Sequence, residues 1–299
     1  MILGILEQGL IYGILALGLL ITYRILDFPD LTVDSSFPLG AAVSAMLTLK
    51  GVPPVLTLLC GMAAGAVAGL ITGFIHVKCK VRDLLSGIIT MTALYSINLR
   101  IAGIGTSPYM PKSNLSLLQS DTLFRNDLIN LLPDWLSGYS KLLIILLIVL
   151  AAKLLLDLYL KTKAGYLLRA AGDNASVVTT LAKDQGSVKI VGLMIANALV
   201  ALAGAVMCQE SRSFDISMGT GTMVIGLASV IIGTNLFKNL SFMKSTTMVI
   251  IGSIIYKACV QLAISLGLRA TDMKLVTAVL FLLILVVGQV KRKKVRIHA

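Results

Sequence analysis

The chain has 299 residues, 57% of them hydrophobic and 13% charged, with a mean hydropathy of +0.92. Soluble domains carry roughly 25% charged residues, so this composition excludes a soluble globular protein and indicates an all-α polytopic membrane protein. The net charge of +12 does not call for nucleic acid, because the basic residues sit at the ends of apolar runs, where the orientation rule for membrane helices places them.

The first span is predicted over Ile2–Tyr23, with Glu7 and Gln8 near its start and Gly9, Gly13 and Gly18 suited to close helix packing. It lacks a basic leader region and a small-residue cleavage site, so it is expected to be retained. Ile25–Gly40 follows, with Asp27, Asp30, Asp34, Pro29 and Pro38. Two prolines break the helical ladder, and unpaired backbone is costly in lipid. The stretch is either an ordinary loop or the broken, re-entrant start of span two, which ends near Leu49. Span three, about Val55–Val77, carries Gly61, Gly65, Gly69 and Gly73, one small residue every fourth position and so one close-packing face. Span four, about Leu84–Ile104, contains Thr90, Thr92, Ser96 and Asn98, which predict a face toward protein or a cavity.

Residues 105–140 form the longest external segment. An amphipathic helix is expected between Asp121 and Pro133, with Trp135 and Tyr139 at the membrane interface. Span five is Leu142–Leu160, with Lys153 and Asp157 spaced for an i,i+4 ion pair. The polar interruption 161–189 then carries Lys161, Lys163, Arg169, Lys183 and Lys189 against Asp173 and Asp184. Such a basic loop should face the cytoplasm. Its apolar residues recur at helical spacing, so it reads as one or two short helices offered to another protein; the plainer reading is a solvated link. Span six is Ile190–Met207. Glu210–Gly221 is polar and irregular, then Met223–Gly233 is apolar, which together read as a second broken span. Span eight, about Thr246–Leu266, holds Lys257 and Gln261; span nine is about Leu275–Val290, followed by a basic tail.

About eight or nine membrane helices are expected in all; alternating sides through nine spans gives an outside N-terminus and a cytoplasmic C-terminus. Lysines and arginines then favour the cytoplasmic side about two to one, the bias that membrane topology requires. DLTVDSSFPL at 30–39 and FDISMGTGTM at 214–223 share an acidic residue, small polar residues and an apolar half-helix, on opposite faces of this threading. That order of elements reads as an inverted repeat with a path near its interface, or as chance likeness among apolar segments. The path residues would be Asp34, Ser36, Phe37, Asp215, Met218 and Thr220; the same positions also read as helix caps and tight packing.

A phosphate-binding loop, an HExxH metal motif and a GxSxG elbow are all missing, and His76 and His298 form no ligand cluster. No enzyme activity, metal or cofactor is expected. Cys60, Cys79, Cys208 and Cys259 are scattered and imply no disulfide framework. Glu7, Lys153, Asp157 and Lys257 are the charged groups inside spans, and such groups should face the bundle interior. An ion-coupled carrier would use Glu7, Asp27, Asp30, Asp34 or Asp215.

Leu168–Gly204, LRAAGDNASVVTTLAKDQGSVKIVGLMIANALVALAG, resembles the coupling-helix region of ATP-binding cassette (ABC) importer permeases of the branched-chain amino-acid and ribose superfamily. Arg169, Ala170, Gly172, Asn174 and Ala175 match the R-A-x-G-x-N pattern and the small residue after it; 181–186 departs from the usual Leu-Gly turn. The opening segment and Ser86–Gly103 resemble the subgroup paired with binding lipoproteins for hydrophobic or aromatic amino acids. The resemblance implies one type II-like permease domain over 1–299. It also implies a second permease copy as a homodimer, ATPase subunits that contact Arg169, Ala170, Gly172, Asp173, Asn174, Ala175 and Asp184, an external binding protein, and a place in the bacterial cell membrane.

Overall fold

The computed structural model describes residues 2–104, 109–125, 139–173, 185–238 and 242–265, together with 275, 277–279 and 281–282. Among them, seven helices are long and apolar enough to cross a membrane, and an eighth apolar helix is shorter. The all-α polytopic reading therefore holds. Span nine is described only at 275, 277–279 and 281–282, which are helical; of the amphipathic segment only 121–125 is described, a turn closed by a Thr122–Arg125 bridge and not the expected helix, and Trp135 lies outside the described residues.

α1 (Ile2–Leu19) continues as a π-turn over Leu20–Ile25. The Leu26 amide reaches the Ile21 carbonyl at 2.9 Å, the i−5 bond of such a turn. Asp27 takes a left-handed backbone (φ 51°), and the chain folds back. α2 is Val33–Leu49. The sequence reading took Pro38 as incompatible with a helix, yet Pro38 lies inside α2, so the interruption is confined to 26–32. The proline removes one amide and leaves the Asp34 carbonyl without its helical partner; Gly219 packs its backbone against that carbonyl and against the Pro38 ring.

α3 (Pro54–Val77) starts on Pro54, whose missing amide costs nothing in a first turn. α4 is Asp83–Gly103 and α5 is Ser140–Lys161. Thr90 and Asn98 of α4 are buried as expected, but Thr92 and Ser96 are exposed; the Thr92 hydroxyl donates to its own helix, to the Ile88 and Ile89 carbonyls. α6 (Lys163–Asp173) is a short amphipathic helix. α7 runs over Gln185–Ser211, longer than expected, so Glu210 is helical. β2 (Ser213–Asp215) pairs antiparallel with β1 (Asn114–Ser116), Phe214 opposite Leu115. A 3₁₀ turn (Ile216–Gly219), α8 (Thr222–Leu236) and α9 (Ser245–Ser265) complete the described chain.

α7 is the central post, packed most extensively on α3, then on α2 and α1. The glycine face predicted in α3 makes this contact: Gly61 meets Ala205, Gly65 meets Asn197 and Ala201, Gly69 meets Leu193, and Gly73 meets Ile190. A Cβ at Gly65 or Gly69 would collide with a carbonyl of α7. Gly40 and Gly204 bring α2 equally close to α7, against Ala201 and Phe37.

The contacts also fix direction. Gly9 of α1 meets Ile254 in the middle of α9 while Gly13 meets Ile250, one turn earlier, and Gly73 near the end of α3 meets Ile190 near the start of α7. α1 thus packs on α9 while α7 packs on α3. α1–α2–α3 and α7–α8–α9 are two sets running in opposite directions, the first helix of each lying on the third of the other. One end of the bundle gathers Arg24, Lys78, Lys80, Lys161, Lys163 and Lys244; the other carries the β1–β2 sheet.

Candidate solute path and coupling site

The two broken segments meet. The Asp34 side chain, in the first turn of α2, accepts hydrogen bonds from the Met223 amide (2.8 Å), the Thr222 hydroxyl (3.0 Å) and the Gly221 amide (3.3 Å), capping α8. A carboxylate at a helix N-terminus satisfies orphan amides and complements the positive end of the dipole. Gly221 precedes α8 with φ 85°, a backbone that glycine adopts without strain. From this junction α2 runs to the sheet end, where Ser44 and Thr57 meet Gln209 at the close of α7, and α8 runs to the basic end, where Gly233 meets Met248 at the start of α9.

Of the predicted path residues, Asp34 is half-buried, Ser36 and Phe37 are fully buried, Asp215 and Met218 are half-buried, and Thr220 is exposed. Ser36 donates to Asn197 Oδ1 at 2.7 Å. Phe37 stacks on Tyr12 with ring centroids 6.2 Å apart. Asp215 accepts from the Ser217 amide at 2.7 Å and starts the 3₁₀ turn. Met218 packs into the core between α2 and the sheet. Asp34 and Asp215 therefore both cap helices.

Asn197 is the residue that sequence reasoning missed. Its amide donates to Asp30 Oδ2 at 2.7 Å and to the Leu193 carbonyl, while its oxygen accepts from Ser36. The Thr32 amide donates to Asp30 Oδ1 at 2.9 Å, and the Thr32 and Thr72 hydroxyls pair at 2.9 Å. The interruption 26–32 is thus bolted to α7 and α3 by buried polar groups, which are obliged to find partners. The available signal was one amide alone in a continuous apolar span.

At the basic end, α6 turns Gly165, Leu168 and Ala171 inward. Gly172 lies against the Ile25 carbonyl at the end of the π-turn, and Leu168 and Leu26 together cover Gly192 of α7. Arg169 is exposed, its guanidinium 6.0 Å from the Tyr166 ring, and Ala170 is half-buried. Asp173 closes the helix; Asn174, Ala175 and Asp184 lie outside the described residues. A cleft of about 380 Å³ beside α6 is lined by Asp157, Lys161, Arg169, Phe242, Lys244 and Thr246 among others. The predicted Lys153–Asp157 pair forms at 3.5 Å, and Asp157 also holds Lys244 (3.0 Å) and the Thr246 hydroxyl (2.7 Å). Among the described residues no cluster of metal-ligating side chains occurs.

The profile of a family described as "Branched-chain amino acid transport system / permease component" matches residues 1–288. The chain belongs to that permease family. A tyrosine transport system permease protein of Clostridioides difficile is 44% identical over 96% of this permease and 91% of its own length. A probable branched-chain amino acid transport permease protein of Methanocaldococcus jannaschii is 31% identical over 74% of the permease and 70% of its own length. The ribose import permease protein of Escherichia coli is 24% identical over 77% and 68% respectively. No solved structure matches significantly. The permease is an integral membrane transport subunit, a role that agrees with its seven span-length helices.

Proposed function

We propose that the permease forms the solute path of an ATP-driven amino-acid importer, for a hydrophobic or aromatic amino acid handed over by an external binding protein at the sheet end. ATPase subunits dock at the basic, cytoplasmic end on loop 161–189, and a second copy completes the path. The N-terminus then lies outside and the C-terminus in the cytoplasm. The substrate class is carried over from the tyrosine and branched-chain permeases among the relatives.

The observation that carries the coupling is the seat of α6. It presses through Gly172 on the last turn of α1, immediately before the interruption whose next residues lead to the capped junction of α2 and α8. A push on α6 reaches both half-helices through one short, buried segment. An arrangement with two discrete positions of that segment would open the bundle alternately to either side. Of the carboxylates an ion-coupled carrier could use, Asp30, Asp34 and Asp215 are engaged in hydrogen bonds within the bundle, which speaks against their exchanging ions.

Cells carrying the importer genes would be assayed for radiolabelled L-tyrosine uptake. Gly172→Pro and Asp173→Arg should abolish uptake while the permease stays folded in the membrane. Full uptake by either variant would refute the coupling assignment.

A further inference from the structure

Lys257 sits mid-way along α9 and is half-buried. Charged groups within spans face protein or a water-filled cavity and mark functional sites more often than not. The other lysine inside a span, Lys153, has Asp157 as counter-ion. Lys257 has no carboxylate within 4 Å among the described residues. Its ammonium lies 4.2 Å from the centroid of the Tyr12 ring and 3.4 Å from the Gln8 amide oxygen, both on α1. Gln8 is exposed and Tyr12 half-buried, so this charge is reachable.

The position is specific. Tyr12 stacks on Phe37 of α2 with an interplanar angle of 3°. Leu15 and Leu19, further along α1, cover Gly226 in the first turns of α8. Tyr12 is therefore level with the start of α8, the half-helix that runs from there to the basic end. A cation, an aromatic face and an amide converge there from α9 and α1, beside the α2–α8 junction. A lysine that merely snorkels would extend toward the helix end; this one reaches sideways to α1.

We propose that Lys257, with Gln8 and Tyr12, binds the carboxylate of the solute as it enters from the sheet end. The ammonium exchanges the weak Gln8 contact for a charge-assisted bond to the carboxylate, and the Tyr12 ring offers its flank to an apolar side chain. This site rests on the amino-acid reading of the path, and it supplies the element that an α-carboxylate would recognise.

Two measurements test it separately. In cells expressing the whole importer, Lys257→Met lowers L-tyrosine uptake about tenfold to a hundredfold, the worth of a charge-assisted hydrogen bond, and Lys257→Arg restores most of it. Unchanged uptake in Lys257→Met overturns the site. In a permease whose four native cysteines are replaced by serine, Gln8→Cys is labelled by anionic sulfonatoethyl and cationic trimethylammonioethyl methanethiosulfonates. The anionic-to-cationic rate ratio should fall about tenfold when Lys257→Met is added. An unreactive thiol, or a ratio indifferent to Lys257, overturns the site whatever the uptake shows. A wild-type importer that takes up neither L-tyrosine nor any of L-phenylalanine, L-tryptophan, L-leucine, L-isoleucine and L-valine refutes the proposed substrate class instead, and the labelling ratio still decides whether an anion site is present.

Discussion

Replacing Asn197 by leucine should destabilise the permease through two specific losses. Leucine is close to asparagine in size and suits an apolar span, so packing and insertion change little. What disappears is one partner of the Asp30 carboxylate, at 2.7 Å, and the acceptor of the buried Ser36 hydroxyl, also at 2.7 Å. A lost bond to a charged group costs about 1.5–3 kcal/mol and an orphaned buried hydroxyl about 1–3 kcal/mol, so the sum is roughly 2.5–6 kcal/mol. At about 2 °C per kcal/mol for a chain of this size, the melting temperature of the detergent-purified permease should fall by roughly 5–12 °C. Fluorescence-detected gel filtration after stepwise heating reads this directly. The double variant Asp30→Leu/Asn197→Leu should recover part of the loss, because replacing both partners removes the stranded carboxylate. A single variant that melts with the wild type, or a double variant whose loss is the sum of the two single losses, would refute the idea that Asn197 bolts the interruption to α7.

Asp34→Ala strips the cap from α8 and should cost about 1–2 kcal/mol, with loss of uptake out of proportion to the modest drop in melting temperature. Asp157→Ala removes a buried carboxylate, leaves half-buried Lys153 without its counter-ion and releases Lys244; it should destabilise by about 3 kcal/mol, whereas Lys244→Ala, at an exposed side chain, should cost under about 1 kcal/mol in the same heating assay. Thr220→Cys should react with a membrane-impermeant maleimide at rest while Ser36→Cys, fully buried, should react only when nucleotide binding opens the path. A Ser36→Cys thiol that stays unreactive through the whole ATPase cycle argues that α2 packs there without lining the path.

The long apolar runs and the glycine period of α3 were legible because both follow from single-helix geometry. The second broken segment was also legible, its glycine and hydroxyl residues marking where helix gives way. Pro38 misled, since a proline just past the first turn is tolerated when another backbone approaches the carbonyl it frees. Asn197 was passed over as one polar residue in an apolar run and Gln209 as the first residue of a polar stretch, and only their partners reveal them: Asp30 and Ser36 for one, Thr57, the Pro54 carbonyl and the Leu123 amide for the other. The β1–β2 pairing joins residues about a hundred positions apart, and no local pattern announces it. Lys257 was visible as a charge in a span, but its neighbours Gln8 and Tyr12 come from the far end of the chain.

The glycine seam between α3 and α7 has a mechanical corollary. Where two helices touch main chain to main chain, no layer of side chains remains that can slip through alternative rotamers. The pair behaves as one stiff beam, and Gly40 and Gly204 rivet part of α2 to it. α8 and α9 form a second such pair, Gly233 lying against the Met248 carbonyl and Gly252 against the Ser229 carbonyl, so an alternating machine of this shape would move two stiff pairs against each other across α1, which packs on both α7 and α9.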